Sequence, residues 1–168
     1  MKTIYLAAGC FWGAQKYFDY LTGVKYTEVG YANGNIDDPT YPVVKKGDTG
    51  FAETVKVDYD PEQITLEEIV TLFFEAIDPT TLNRQAHDIG TQYRSGVYYV
   101  DEADEPIIAA VRDKVQKQYE DDVVTEILPL SNFYSAEEYH QKYLDKNPTG
   151  YCHISNASYE RIKNYKKK

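Results

Sequence analysis

Residues 51–59 alternate without a break: Phe51, Glu53, Val55, Val57 and Tyr59 fall on one face of an extended chain, and Ala52, Thr54, Lys56 and Asp58 on the other. That pattern predicts a half-buried strand, which must lay its apolar row against a second layer of structure. One residue breaks the row. Burying a lone carboxylate costs several kcal/mol, so Glu53 is either a functional group or half of an ion pair.

The rest of the chain supplies the second layer. Ile4 to Ala7 is a short apolar run, followed by Ala14, Tyr17, Phe18 and Leu21 at helical spacing and by Gly23 as a stop. Val24 to Tyr31 reads as a strand, and Asn33 to Gly50 as a long loop of the kind that carries function. After the turn at Asp60-Pro61, Thr65-Leu66-Glu67-Glu68 is a capping box opening a helix striped by Leu66, Ile69, Val70, Phe73 and Ile77. Thr80 to Arg94 reads as a polar loop and Ser95 to Val100 as a strand. Pro106 suits the first turn of a helix that buries Ile107, Ile108, Val111, Val115 and Tyr119. Val124 to Leu130 reads as another strand. Ser135-Ala136-Glu137-Glu138 reads as a second capping box, opening a short helix through Leu144. The order predicts an α+β protein with a ferredoxin-like split βαβ core, an added helix and strand, and an irregular C-terminal tail. A length of 168 residues suits one domain over 1–168, its core about 2–145 and its tail 146–168.

Charge and composition exclude several classes. With 27 acidic and 18 basic residues the net charge is −9, which argues against nucleic acid as a partner. Lys166, Lys167 and Lys168 form a terminal basic cluster, expected to be solvated. The apolar run before Cys10 is too short for a signal peptide, and nothing approaches a membrane span. Two cysteines far apart make no disulfide framework, so a cytoplasmic protein is expected. The pattern Asn156-Ala157-Ser158 then has no bearing on glycosylation. Two cysteines and three histidines show no ligand spacing, so no metal or other cofactor is expected. A monomer is expected as well.

Gly9-Cys10-Phe11-Trp12-Gly13 lies where strand gives way to helix. Cys10 is thereby expected in the first helical turn, where unpaired N–H groups and the helix dipole favour a thiolate. Two aromatic rings follow it directly. Three readings stand: a redox thiol with Glu53 as proton donor and Cys152 as second thiol, a thiol hydrolase using His87 or His140 with Asp88, and a methionine-binding module with an inert buried cysteine. His140 and His153 otherwise read as packing or surface residues.

Five segments carry a resemblance: Gly9-Cys10-Phe11-Trp12-Gly13, Pro39-Thr40-Tyr41, Gly50 with Ala52-Glu53, Asp88 to Ser95, and Gly150-Tyr151-Cys152. In order and spacing they resemble the type-A peptide methionine sulfoxide reductases. The resemblance implies reduction of the S-epimer of methionine sulfoxide, free or in proteins, with thioredoxin as external reductant. It implies that Cys10 attacks the sulfoxide sulfur, that Phe11 and Trp12 hold the methyl group, and that Glu53 protonates the oxygen with Tyr41 and Tyr93 donating hydrogen bonds to it. Asp88 would order the polar side of the pocket, and Cys152 would condense with the sulfenic acid at Cys10. The family often has His where this chain has Phe51, a change expected to make the site more apolar and to favour a protonated Glu53.

Overall fold

The computed structural model describes residues 1–165, so the lysines 166–168 lie outside the described residues. In chain order come β1 (Lys2–Ala8), α1 (Phe11–Asp19), β2 (Val24–Ala32), α2 (Tyr41–Lys45) and β3 (Ala52–Tyr59). Next are α3 (Leu66–Glu75), the two-residue strands β4 (Arg84–Gln85) and β5 (Asp88–Ile89), and β6 (Ser95–Tyr99). The chain continues with α4 (Glu105–Gln116), β7 (Glu126–Pro129), β8 (Phe133–Ser135), α5 (Tyr143–Lys146) and α6 (Asn156–Lys163).

The main sheet has the order β7-β6-β1-β3-β2-β8. Its inner four strands are antiparallel throughout and follow the split βαβ arrangement that the sequence predicts. The added strand β7 runs parallel to β6 after the α4 crossover, while β8 pairs antiparallel with β2. On the helix-bearing face Val55, Val57 and Tyr59 pack into the core with α1, α3, α4 and α6, as the alternation requires. The capping box forms as read: the Thr65 hydroxyl accepts from the Glu68 N–H, and the Glu68 carboxylate accepts from the Thr65 N–H.

A flat sheet would hold β7 and β8 about 24 Å apart across five strand spacings. The chain from Pro129 to Phe133 reaches about 14 Å at most. The sheet therefore curls, with the helix-free face inside the bend. Ala7, Ala32 and Ala52 are buried on that face, and their small size lets the Tyr5 and Phe133 rings meet at 5.0 Å across two intervening strands.

Four readings are corrected. Ser135 does not cap a helix: it pairs with Gly30 in β8, and Glu137 beyond it is drawn away to Tyr31 and Tyr41. The segment through Leu144 becomes a 3-10 turn at Glu138–His140, a left-handed Lys142 (φ 55°) and the single turn α5. Here the Lys142 N–H donates to Gln15 at 2.7 Å and its ammonium pairs with Asp19, which ties the segment to α1. The loop regions contain α2 and the β4–β5 hairpin. In α4, Ile107 stays 40% exposed and Tyr119, 37% exposed, lies past the helix end at Gln116. The tail, finally, is not irregular throughout. Ser155 caps α6 by accepting from the Ser158 N–H, and Tyr159 and Ile162 pack into the main core.

Candidate active site

Gly9 ends β1 with φ +80°, and a side chain there would meet Gln85 Cβ at 2.9 Å and His153 Nε2 at 3.1 Å. Only glycine suits both the backbone and the space. The turn makes Cys10 the N-cap of α1, one position before the first turn expected for it. The thiol is 7% exposed. Burial pushes its pKa well above the ordinary value and the charge of Glu53 adds to this, against a lowering contribution from the Trp12 N–H. The helix terminus is therefore outweighed: in the free protein Cys10 is a protonated thiol, not the thiolate expected from its position.

Glu53 projects from β3 toward α1, and its carboxyl is 1% exposed. No cation pairs with it among the described residues. Instead the Phe11 N–H donates to Oε1 at 3.2 Å and the Gln92 amide to Oε2 at 2.6 Å. Burial raises its pKa from 4.5 to about 8, outweighing both hydrogen bonds, with the charge of Asp88 adding to the rise. At neutral pH Glu53 is thus a carboxylic acid with a proton to give. Phe51, two positions before it, is buried with Gly34 on its ring face and Tyr134 edge-on at 5.9 Å.

Tyr41 opens α2 and Tyr93 closes the 3-10 turn before β6. Their hydroxyls lie close to each other, and both groups lie near Cys10 and Glu53. Burial raises both pKa values, so both remain donors at neutral pH. Asp88, also raised by burial, lies near His153, Tyr151 and His87, and its Oδ2 is buried with no hydrogen-bond partner among the described residues.

The aromatic wall is set by residues that the sequence did not single out for it. Trp12 stacks on Tyr143 at 3.8 Å, and its Nε1–H donates to His140 Nδ1 at 2.9 Å. Burial lowers the His140 pKa, which keeps that nitrogen free to accept. The same imidazole packs on Phe11 and Tyr41. Glu137 accepts from the Tyr31 hydroxyl at 2.8 Å and from the Tyr41 N–H at 3.1 Å, fixing the start of α2. Gln92 lies inside the Asp88 to Ser95 segment with no role of its own in the sequence reading, Glu137 falls in the capping-box pattern, and His140 is read there as a hydrolase base or a packing residue, not as the partner of Trp12.

Cys10, Phe11, Trp12, Tyr41, Glu53, Asp88 and Tyr93 thus converge, and Cys152 packs against α1 at Gly13 rather than standing off in a loose tail. Both cysteines are free thiols. Among the described residues neither His87 nor His140 is bonded to the Cys10 sulfur, and His140 Nδ1 is occupied by Trp12. A protonated acid beside a thiol, with a second thiol close by, defines a thiol oxidoreductase rather than a hydrolase. The sequence matches the family of peptide methionine sulfoxide reductases over residues 2–168. The peptide methionine sulfoxide reductase MsrA of Clostridium acetobutylicum is 57% identical over 154 residues, 92% of this chain and 95% of that one. Mxr1 of Saccharomyces cerevisiae in reduced form has a TM-score of 0.87 at 46% identity, covering 92% of this chain and 91% of that one. Mxr1 in complex with Trx2 has a TM-score of 0.60 at 34% identity, covering 84% of each chain. The chain belongs to the type-A peptide methionine sulfoxide reductases.

Proposed function

We propose that this chain reduces the S-epimer of methionine sulfoxide, free or in proteins, and that thioredoxin restores its thiols. The observation that carries the reading is Glu53: a fully buried, uncompensated acid held beside Cys10 between the Phe11 N–H and Gln92. Sulfoxide oxygen is a poor leaving group until it is protonated. Glu53 supplies that proton while Tyr41 and Tyr93 donate hydrogen bonds to the same oxygen, and Phe11 and Trp12 take the methyl group. The Cys10 sulfur attacks the sulfoxide sulfur, and the proton the thiol gives up replaces the one that Glu53 has spent. Methionine leaves with two more electrons, and the oxygen ends on Cys10 as sulfenic acid.

Asp88, with Tyr151, orders the polar rim of the pocket. Cys152 then attacks the sulfenic sulfur, an S–S bond forms, the S–O bond breaks, and the oxygen departs as water. Two thiols supply both electrons, so no cofactor or metal enters. All of these groups come from one chain, which suits a monomer, and two free thiols suit a reducing compartment such as the cytoplasm. No helix of the described residues is long and apolar enough to cross a membrane. The Mxr1 complex with Trx2 supports thioredoxin as the reductant.

Cys152→Ser tests the sequence of steps. One methionine per chain should appear at near-normal rate, after which thioredoxin-driven turnover should nearly stop, with a small dithiol still recycling the enzyme slowly. Sustained thioredoxin-dependent turnover by this variant would show that Cys152 takes no part.

A further inference from the structure

The Cys152 sulfur sits in a built notch. Its Sγ lies 2.8 Å from the Tyr159 hydroxyl, and the Ile154 N–H donates to it at 3.4 Å. The wall opposite is Gly13, where an added Cβ would lie 2.6 Å from the sulfur. Tyr159 is 7% exposed on α6, and its hydroxyl donates to the Gly13 carbonyl at 3.1 Å. A phenol has one proton to donate, so while it serves Gly13 its oxygen is left to accept the Cys152 S–H. Gly13 is three positions beyond Cys10, about 4.5 Å along the axis of α1. The second thiol therefore waits roughly one helical turn from the first.

We propose that Tyr159 is a positioning residue for the resolving step: it holds Cys152 in the Gly13 notch and, by turning its proton from the Gly13 carbonyl to the sulfur, stabilises the thiolate that attacks. The inference rests on the disulfide-forming reading above. In that step the Cys152 thiolate bonds to the Cys10 sulfur, the sulfenic S–O bond breaks, and the oxygen leaves as water with the proton that Cys152 released. Nothing in the reduction of the sulfoxide itself draws on Tyr159.

Tyr159→Phe removes the hydroxyl and keeps the ring. After mixing reduced protein with a methionine sulfoxide peptide, rapid quenching should show a methionine burst of normal rate. Disulfide formation in the same samples should be slowed about threefold near neutral pH, because a thiolate made about tenfold scarcer is partly offset by its greater nucleophilicity, and the slowing should fade as the pH rises. Gly13→Ala, which evicts the sulfur, should slow disulfide formation too, and the double variant should be no slower than the slower single one, because both changes empty one notch. An unmoved pH profile in Tyr159→Phe, or fully additive losses, would overturn the proposal. The burst is read separately from the disulfide, so a failure of sulfoxide reduction itself is told apart from a failure of the resolving step.

Discussion

Glu53 is held as an acid by the same burial that makes it look misplaced on its strand. Its pKa rises from 4.5 to about 8 on folding, so the folded chain binds the proton more tightly than the unfolded one. Stability is then greatest below the unfolded value, falls by about 1.4 kcal/mol per pH unit as the pH rises between the two, and levels off above the folded value. Glu53→Gln removes this slope, and urea unfolding at several pH values should show the variant gaining on the parent as pH rises. The same change should slow single-turnover reduction by about a hundredfold or more, the scale of general acid catalysis, with affinity little altered. An unchanged rate would assign the proton to Tyr41 or Tyr93. Trp12→Ala should chiefly raise KM, because its ring supplies apolar contact to ground and transition states alike. The sequence exposed Glu53 because a charge in an apolar row is visible in a string of letters. The state of Cys10 was not visible in that way: the helix end that favours a thiolate is local, whereas the burial that overrides it comes from the packed fold and the Glu53 charge that adds to it from 43 positions away.

Among the elements, legibility followed how locally each is determined. The α3 cap lies wholly within four residues and forms as read. Thr65→Ala should cost about 1 kcal/mol, measured as a lower urea midpoint, and should leave sulfoxide reduction unchanged because α3 carries no site residue. Equal stability would show that Glu68, which also meets the Tyr165 hydroxyl, holds the helix start without Thr65. Ser135-Ala136-Glu137-Glu138 has the same letters and forms no such cap. There the backbone is claimed by β2 and the Glu137 carboxylate by Tyr31 and Tyr41, partners 106 and 96 positions away. For α6 the local signal was too weak to read: one buried tyrosine and one isoleucine in a polar segment, made helical by the Ser155 cap and by packing on α1.

In the molecule as a whole, the split βαβ order follows from the sequence of apolar periods, and the curl of the sheet follows from the short link between its two edge strands. That link was hidden because β8, three residues long, has no alternation to read. The fold gathers α1, α2, β3 and the turn before β6 at one place, where Cys10 and Glu53 meet, and lays the C-terminal segment back along α1 so that Cys152 comes to Gly13. The central claim is that this one chain carries both electrons and the proton for removing a sulfoxide oxygen of one handedness. The most direct test mixes fully reduced protein, with no reductant or metal added, with a racemic methionine sulfoxide peptide, then follows the epimers by chiral chromatography and the protein by mass. The account predicts one methionine per chain, drawn from the S-epimer alone, and a protein two hydrogens lighter with Cys10 bonded to Cys152. Equal loss of both epimers, or no methionine from the reduced chain, would contradict it.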